Sequence, residues 1–280
     1  MPLKVPSALC CMNETVKYRR GGAFLEREKR REREWNENQL EGRNAVLEVL
    51  RSGRDIEKIM VQKGNVEGTI KRIVAQAAEK GVVIQEVSRQ KLDELSQTKN
   101  HQGVIALVSA HDYVEVEDIL AAARAKGEDP FIILLDVITD PHNLGAILRT
   151  AECAGAHGVI IPKRRSVGLN ATVGKTSAGA IEYMPVAKVT NLVKTMEQLK
   201  KEGLWFACAD MGENDHFDTN LKGPIGLVIG SEGEGVSRLV KENCDFTASI
   251  PMYGKISSLN ASVAAALLMY EVVRQRNYSK

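Results

Sequence analysis

FIILLDVITDPHNLGAILRTAECAG, residues 131 to 155, decides the fold. Phe131 to Asp136 is an unbroken apolar run closed by an acid, and a run without alternation fits a strand buried on both faces of a parallel sheet. Asp140-Pro141 sets a turn, and Asn143 is expected to cap a helix over 144–154, its side chain satisfying a free backbone N–H. Arg149 and Glu152 stand three apart on that helix and share a face, so a surface ion pair is the plain alternative to a functional Arg149. Further strands are expected over 158–161, 184–189, 204–209, 225–229 and 247–250. Helices are expected over 189–201, 236–242 and 259–274. Alternation of this kind is the signature of an α/β domain.

A second, smaller α/β pattern precedes it. A helix is expected over 44–51, a strand over 56–61 and a helix over 66–79, where Ile70, Ile73, Val74 and Ala77 recur at helical spacing. Short strands over 82–87 and 103–108 follow, with a helical turn over 91–95 between them. An amphipathic stretch runs from 116 to 124, and Lys126-Gly127-Glu128-Asp129-Pro130 collects breakers and charges at the boundary. The expected organisation is an extension over 1–36, a first domain over 37–112, a linker over 113–128 and a second domain over 129–280.

The chain has 280 residues, enough for roughly two domains. With 44% hydrophobic and 26% charged residues it is neither wholly disordered nor a multi-spanning membrane protein. No apolar run reaches the roughly 18 residues that a bilayer span needs. The first residues, broken by Pro6, do not read as a signal peptide, and a cytoplasmic location is expected. Cys10, Cys11, Cys153, Cys208 and Cys244 form no CxxC pair, and His101, His111, His142, His157 and His216 are scattered, so neither a disulfide framework nor a metal site is expected. The net charge of +2 is unevenly placed: residues 1–36 carry nine Lys or Arg against five Glu, and the remainder carries 29 basic against 31 acidic residues. The basic extension could contribute sequence-independent phosphate contacts, or be a solvated tail.

Two further blocks carry chemistry. In LVIGSEGEGVSRL, residues 227–239, Gly230, Gly233 and Gly235 punctuate a strand-to-helix turn and Glu232 stands at the mouth of the strand. Carboxyl ends of parallel strands are where open α/β sheets bind ligands. Two acids make this turn a poor phosphate cradle and suit it to a cationic or hydroxyl-bearing ligand. In IPMYGKISSLNASVAAALLMYEVVRQ, residues 250–275, a Gly254 loop leads through Ser258 and Asn260 into an Ala-rich helix; plain capping is the structural alternative for both. Val173-Gly174-Lys175-Thr176 is similar to the end of a Walker A loop, but its upstream glycine, Gly168, is one residue too far away. No GxGxxG follows a strand.

Together the three blocks resemble the SpoU (TrmH-type) ribose 2′-O-methyltransferases of the SPOUT class. The resemblance rests on Asn143-Leu144-Gly145 with Arg149-Thr150-Ala151, on Gly230-Ser231-Glu232-Gly233 with Gly235, and on Ile250-Pro251-Met252 with Ser258-Leu259-Asn260. It covers about residues 129–277. Residues 38–110, with Glu41-Gly42-Arg43-Asn44 and His101-Gln102-Gly103-Val104, look like the ribosomal-protein-like RNA-binding domain of the RlmB-type branch.

The resemblance implies a C-terminal SPOUT α/β domain with a deep trefoil knot behind a small α/β RNA substrate-binding domain. It implies an RNA (ribose-2′-O-)-methyltransferase that uses S-adenosylmethionine, works as a homodimer without metal, and modifies structured RNA, a guanosine of 23S rRNA in the first instance. A tRNA substrate, or a non-catalytic RNA-binding or ribosome-assembly protein, are the alternatives. Asn143, Arg149, Glu232, Ser258 and Asn260 match the family's polar catalytic set, and Gly230, Ile250 and Leu259 its adenosine-binding positions. On that basis Arg149 binds RNA phosphate and helps activate the hydroxyl, while Asn143, Ser258, Asn260 and Glu232 orient the reacting groups; a guanidinium is normally protonated, so Arg149 is a poor base.

Overall fold

The computed structural model describes residues 38–64, 68–212 and 215–278. The basic extension over 1–36, with Cys10 and Cys11, and Val66 at the expected start of a helix lie outside these residues.

The smaller unit opens with β1 (Gln39–Glu41), α1 (Arg43–Ser52), β2 (Ile56–Gln62), α2 (Thr69–Glu79), β3 (Ile84–Val87), α3 (Arg89–Leu95) and β4 (Val104–Val108). Its four strands lie in the order β1-β4-β2-β3, with β4 antiparallel to β1 and β2, and β2 parallel to β3. Helices α1 and α2 turn Val46, Leu50, Ile70 and Ile73 onto one face of this sheet, where all are buried. Each such side chain contributes about 1.5–3 kcal/mol by leaving water. The three-residue β1 was not visible in the sequence pattern.

Residues 113–128 hold α4 (Val116–Lys126), and this helix is more than a connector. Ile119, Leu120 and Ala123 are buried, and Ile119 and Leu120 belong to the core of the larger unit. Gly158 makes room for it: a Cβ there would lie 2.5 Å from Ile119 Cδ1.

The larger unit runs β5 (Phe131–Leu135), α5 (Pro141–Cys153), β6 (Gly158–Pro162), α6 (Ala171–Thr176), β7 (Val186–Val189), α7 (Leu192–Lys201), β8 (Trp205–Ala209), β9 (Ile225–Ile229), α8 (Arg238–Glu242), β10 (Phe246–Ala248) and α9 (Ala261–Tyr278). Its six strands form one sheet in the order β10-β8-β9-β5-β6-β7, every pairing parallel. All five residues of β5 and all five of β9 are buried, which is why both read as continuous apolar runs. One core lies between the sheet and α5, α6 and α9, and a second lies against α4 and α7.

One expectation is corrected. The cap of α5 is Asp140, whose carboxylate accepts from His142 N–H at 2.9 Å, and Asn143 lies inside the first turn. Pro141 explains the shift, because its fixed φ and missing N–H suit the first helical position and place the cap one residue earlier. The Walker-like Val173-Gly174-Lys175-Thr176 belongs to the short helix α6, packed against Gly145 of α5 so closely that a Cβ on Gly145 would meet Thr176 Oγ1 at 1.9 Å. Asn170 caps α6 through Val173 N–H.

Candidate active site

All six strands are parallel, so the turns that follow β5, β6, β9 and β10 gather on one edge of the sheet. The chain leaves β5 at Asp136 and turns sharply into α5, with Val137 at φ +60°. A β-branched residue in the left-handed region costs on the order of 1–3 kcal/mol and persists only where its surroundings fix it. Asp136 supplies part of that fixing: it is buried, and its Oδ2 accepts the N–H of Ser237 at 2.7 Å, tying the end of β5 to the turn after β9. Asp136 was not singled out from the sequence. The acid that ends an otherwise apolar strand was the available signal.

With Asp140 doing the capping, Asn143 is buried and its amide is free to reach the other two blocks. Asn143 Nδ2 donates to Glu232 Oε1 at 2.9 Å. Asn260 Nδ2 donates to Asn143 Oδ1 at 3.0 Å and also to Glu232 Oε1. The Asn260 carbonyl oxygen is used as well: it accepts from Ser262 Oγ at 2.6 Å, Ser262 N–H at 3.0 Å and Val263 N–H at 3.3 Å, which caps α9. Both amide contacts of Glu232 end on Oε1. Among the described residues nothing engages Oε2, and Glu232 is exposed at the mouth.

Glu232 is carried by a closed turn. Ser231 and Gly235 exchange two backbone hydrogen bonds of 3.0 Å, and Gly235 has φ +68°. Gly230 is buried beneath that turn, where a Cβ would lie 2.1 Å from the carbonyl carbon of Gly235. The other two expected adenosine-binding positions, Ile250 and Leu259, are half-buried at the ends of an irregular segment. Among the described residues, no backbone group from Ile250 to Leu259 takes part in a hydrogen bond.

The remaining two site residues stay outside the cluster. Ser258 is exposed and makes no side-chain hydrogen bond among the described residues. Arg149 is exposed on α5, six residues beyond Asn143 and therefore roughly 9 Å further along the helix axis. The surface ion pair with Glu152 does not form, and no other carboxylate among the described residues pairs with Arg149. No three His, Cys, Asp or Glu among the described residues stand where they could hold a metal ion.

In the smaller unit the two quoted words meet. Arg43 N–H donates to Gln102 Oε1 at 3.1 Å and Arg43 Nε to the Gln102 carbonyl at 3.1 Å, while Gly42, at φ +92°, donates to Val104 O at 3.3 Å. Glu41 accepts from Gln39, Ser96, Gln97 N–H and Thr98. Burial opposes its charge, but these hydrogen bonds, from Thr98 and Ser96 above all, bring its carboxyl down to about 2.

A wholly parallel sheet with an amide–carboxylate cluster on its carboxyl edge, behind a small mixed-sheet unit, has the architecture of a two-domain α/β enzyme. Residues 130–270 match the SpoU rRNA Methylase family, and residues 39–114 match the domain described as RNA 2′-O ribose methyltransferase substrate binding. The chain is 52% identical over 238 residues to the putative TrmH family tRNA/rRNA methyltransferase YacO of Bacillus subtilis (strain 168), covering 84% of this chain and 95% of that one. It is 48% identical over 238 residues to a putative TrmH family tRNA/rRNA methyltransferase of Staphylococcus saprophyticus, covering 85% and 95%. The solved structure of the SpoU methyltransferase AviRb from Streptomyces viridochromogenes in complex with the cofactor AdoMet shares the fold, with a TM-score of 0.54, 24% identity, and coverage of 85% and 89%. The chain belongs to the SpoU family of RNA methyltransferases.

Proposed function

We propose that this protein transfers a methyl group from S-adenosylmethionine to a ribose 2′-hydroxyl of structured RNA, with a guanosine of 23S rRNA, as in the RlmB-type branch, as the first substrate to test. The observation that carries the reading is the hydrogen-bonded cluster of Asn143, Glu232 and Asn260, which draws one polar residue from each of three separate blocks onto the ligand-binding edge of the sheet. A purely structural role for these residues would need the caps alone, and Asn143 caps nothing.

The residues present fit S-adenosylmethionine. An adenosine needs apolar surface for its faces and main-chain groups for its edges, and the segment between half-buried Ile250 and Leu259 offers both, its backbone donors and acceptors being unused. Gly230 keeps the adjoining turn close to the strand end. When bound, S-adenosylmethionine supplies a methyl group on a sulfonium, an electrophile that needs no metal.

A ribose hydroxyl is a very weak acid, so the chain has to orient it, stabilise the developing oxyanion and exclude water. Glu232, held through Oε1 by two amides, presents Oε2 to accept the hydrogen bond of the hydroxyl and draw its proton away from the attacking oxygen. Arg149, unpaired and exposed, binds the phosphate beside the target and offsets negative charge at the oxygen. Ser258, at the end of the segment with unused backbone groups, adds a hydroxyl to the ribose contacts.

Two features of the family reading concern assembly. Val263, Leu267 and Tyr270 expose 47%, 45% and 51% of their surface along one stripe of α9, and a homodimer formed across that stripe would cover them. In the family's trefoil knot the C-terminal chain passes through a loop. The C-terminal helix α9 shares its core with α5, Ala261 and Ala265 being buried in one cluster with Leu144 and Leu148, which supports a close passage of this kind. No helix among the described residues is long and apolar enough to cross a membrane, and a ribosomal RNA substrate would place the work in the cytoplasm. Incubation of the purified protein with S-adenosylmethionine and 23S rRNA or tRNA transcripts, followed by nuclease digestion and mass spectrometry of the nucleosides, tests the reaction and separates the two substrates.

A further inference from the structure

Where the smaller unit meets the larger lies a cavity of about 280 Å³ with walls from both. Arg54 and Lys80 line it from the smaller unit, Lys163 and Lys188 from the larger. Its charges are not alike in their surroundings. Lys188 Nζ donates to Glu57 and stands 4.8 Å over the ring of Tyr113, whose hydroxyl also donates to Glu57. Gly168 is what lets that carboxylate settle, since a Cβ there would collide with it. Asp55 accepts the N–H of Tyr113 at 3.3 Å, and Glu115 is engaged in a capping box with Asp118.

The acids of the cavity therefore have partners inside the protein, as does Lys188, and the other three cations do not. Among the described residues, Arg54, Lys80 and Lys163 pair with no carboxylate. Three uncompensated cations around a concave space repel one another and raise the local concentration of an anion. Carboxylate ligands would gain little from a wall that already holds Glu57 and Asp55, whereas a phosphate presents several acceptor oxygens to forked and rotatable donors at once. The volume has room for a phosphate with its sugar and excludes a whole folded helix.

Lys163 also opens the run Lys163-Arg164-Arg165, with Arg164 and Arg165 exposed. That run is anchored beside the catalytic edge: Val167 N–H and Ser166 Oγ both donate to the carbonyl of Ile138, at 2.9 and 3.3 Å, in the turn that leads to Asn143. Positive charge thus continues from the cavity to the active site. We infer that the cavity is a phosphate-binding subsite that takes a phosphodiester of the RNA substrate through Arg54, Lys80 and Lys163, so that both units grip the strand that delivers the target nucleotide. Lys188, Tyr113 and Glu57 hold the two walls at a fixed spacing. The inference rests on the reading of the protein as an RNA 2′-O-methyltransferase.

The test compares full-length wild type with Arg54→Ala/Lys80→Ala, measuring affinity for a 23S rRNA fragment across a salt series. The expected result is a slope of log affinity against log salt that is flatter by roughly 1.5, with an affinity roughly tenfold lower at moderate salt. S-adenosylmethionine affinity and melting temperature should be unchanged. A control pair, Lys201→Ala/Lys222→Ala, removes two exposed cations at the opposite edge of the sheet and should leave the slope as it was. Equal slopes for wild type and Arg54→Ala/Lys80→Ala overturn the inference, and so does equal flattening in the control. Inorganic phosphate separates the sources: if it raises the melting temperature of wild type but not of the variant while the RNA slopes are equal, the cavity serves a free phosphorylated molecule and the RNA assignment is wrong. A wild type that binds no RNA overturns the underlying reading as well, whereas a failure confined to the variant comparison removes the subsite alone.

Discussion

Asn143 Nδ2 donates to Glu232 Oε1 over 2.9 Å, joining side chains that stand 89 residues apart in sequence. The bond exists because Asp140 caps α5 in place of Asn143 and leaves the buried amide with nothing local to satisfy. Replacement of Asn143 by Ala leaves Glu232 and Asn260 without their shared partner. The expected loss is about 1–3 kcal/mol of stability, since one of the hydrogen bonds ends on a carboxylate. Methyl transfer should fall by about 100-fold through loss of positioning, with S-adenosylmethionine affinity changed far less. Thermal melting, calorimetry and single-turnover methylation of one preparation read all three.

Arg149→Ala should behave differently. With no ion pair to lose and an exposed position, stability should change by no more than about 0.5 kcal/mol. Turnover should fall by about 100-fold or more if the guanidinium works at the phosphate and hydroxyl. A normal single-turnover rate would take Arg149 out of the mechanism and leave hydroxyl activation to Glu232 and the RNA.

Gly230→Ala places a Cβ where the backbone of Gly235 and Val236 already lies, at 2.1 to 2.3 Å. Because those neighbours are main chain rather than a flexible side-chain end, the turn carrying Glu232 has to move. A loss of about 1–3 kcal/mol and a large drop in S-adenosylmethionine affinity are expected. Chemical denaturation beside calorimetry checks the two effects, and near-normal affinity would remove Gly230 from the cofactor site.

Glu41 gives the smaller unit a pH signature. Its carboxyl is held at about 2 against an ordinary 4.5, so the folded state favours the ionised form. Stability from this group is present above the ordinary value and is lost as pH falls from about 4.5 towards about 2. At neutral pH Glu41→Gln should cost about 1 kcal/mol, a figure discounted for partial exposure, and the difference from wild type should close across that window. Urea unfolding at a series of pH values follows it.

The parallel sheet was legible because buried strands such as β5 and β9 leave unbroken apolar runs, and the helices α2 and α7 because they keep one apolar stripe. Helix α6 was not, since Ala171 to Thr176 packs through small residues and buries a single large one, Val173. The three polar blocks could be seen, but their meeting could not. Sequence spacing carries no record of which strand ends are neighbours: the adjacency of β9 and β5 brings Glu232 to Asn143, and the packing of α9 in one core with α5 brings Asn260 to both. Arg149 was legible as a candidate, while its lack of an ion pair with Glu152 depended on side-chain placement that spacing alone leaves open.

Methyl transfer itself is tested most directly by digesting RNA that has been incubated with the protein and methyl-labelled S-adenosylmethionine, and identifying the labelled nucleoside by mass spectrometry. Label on a ribose 2′-oxygen, abolished or strongly reduced in Asn143→Ala and Glu232→Gln, is the expected result. Label on a base, or equal labelling by wild type and both variants, would contradict a 2′-O-methyltransferase built on the Asn143–Glu232–Asn260 cluster.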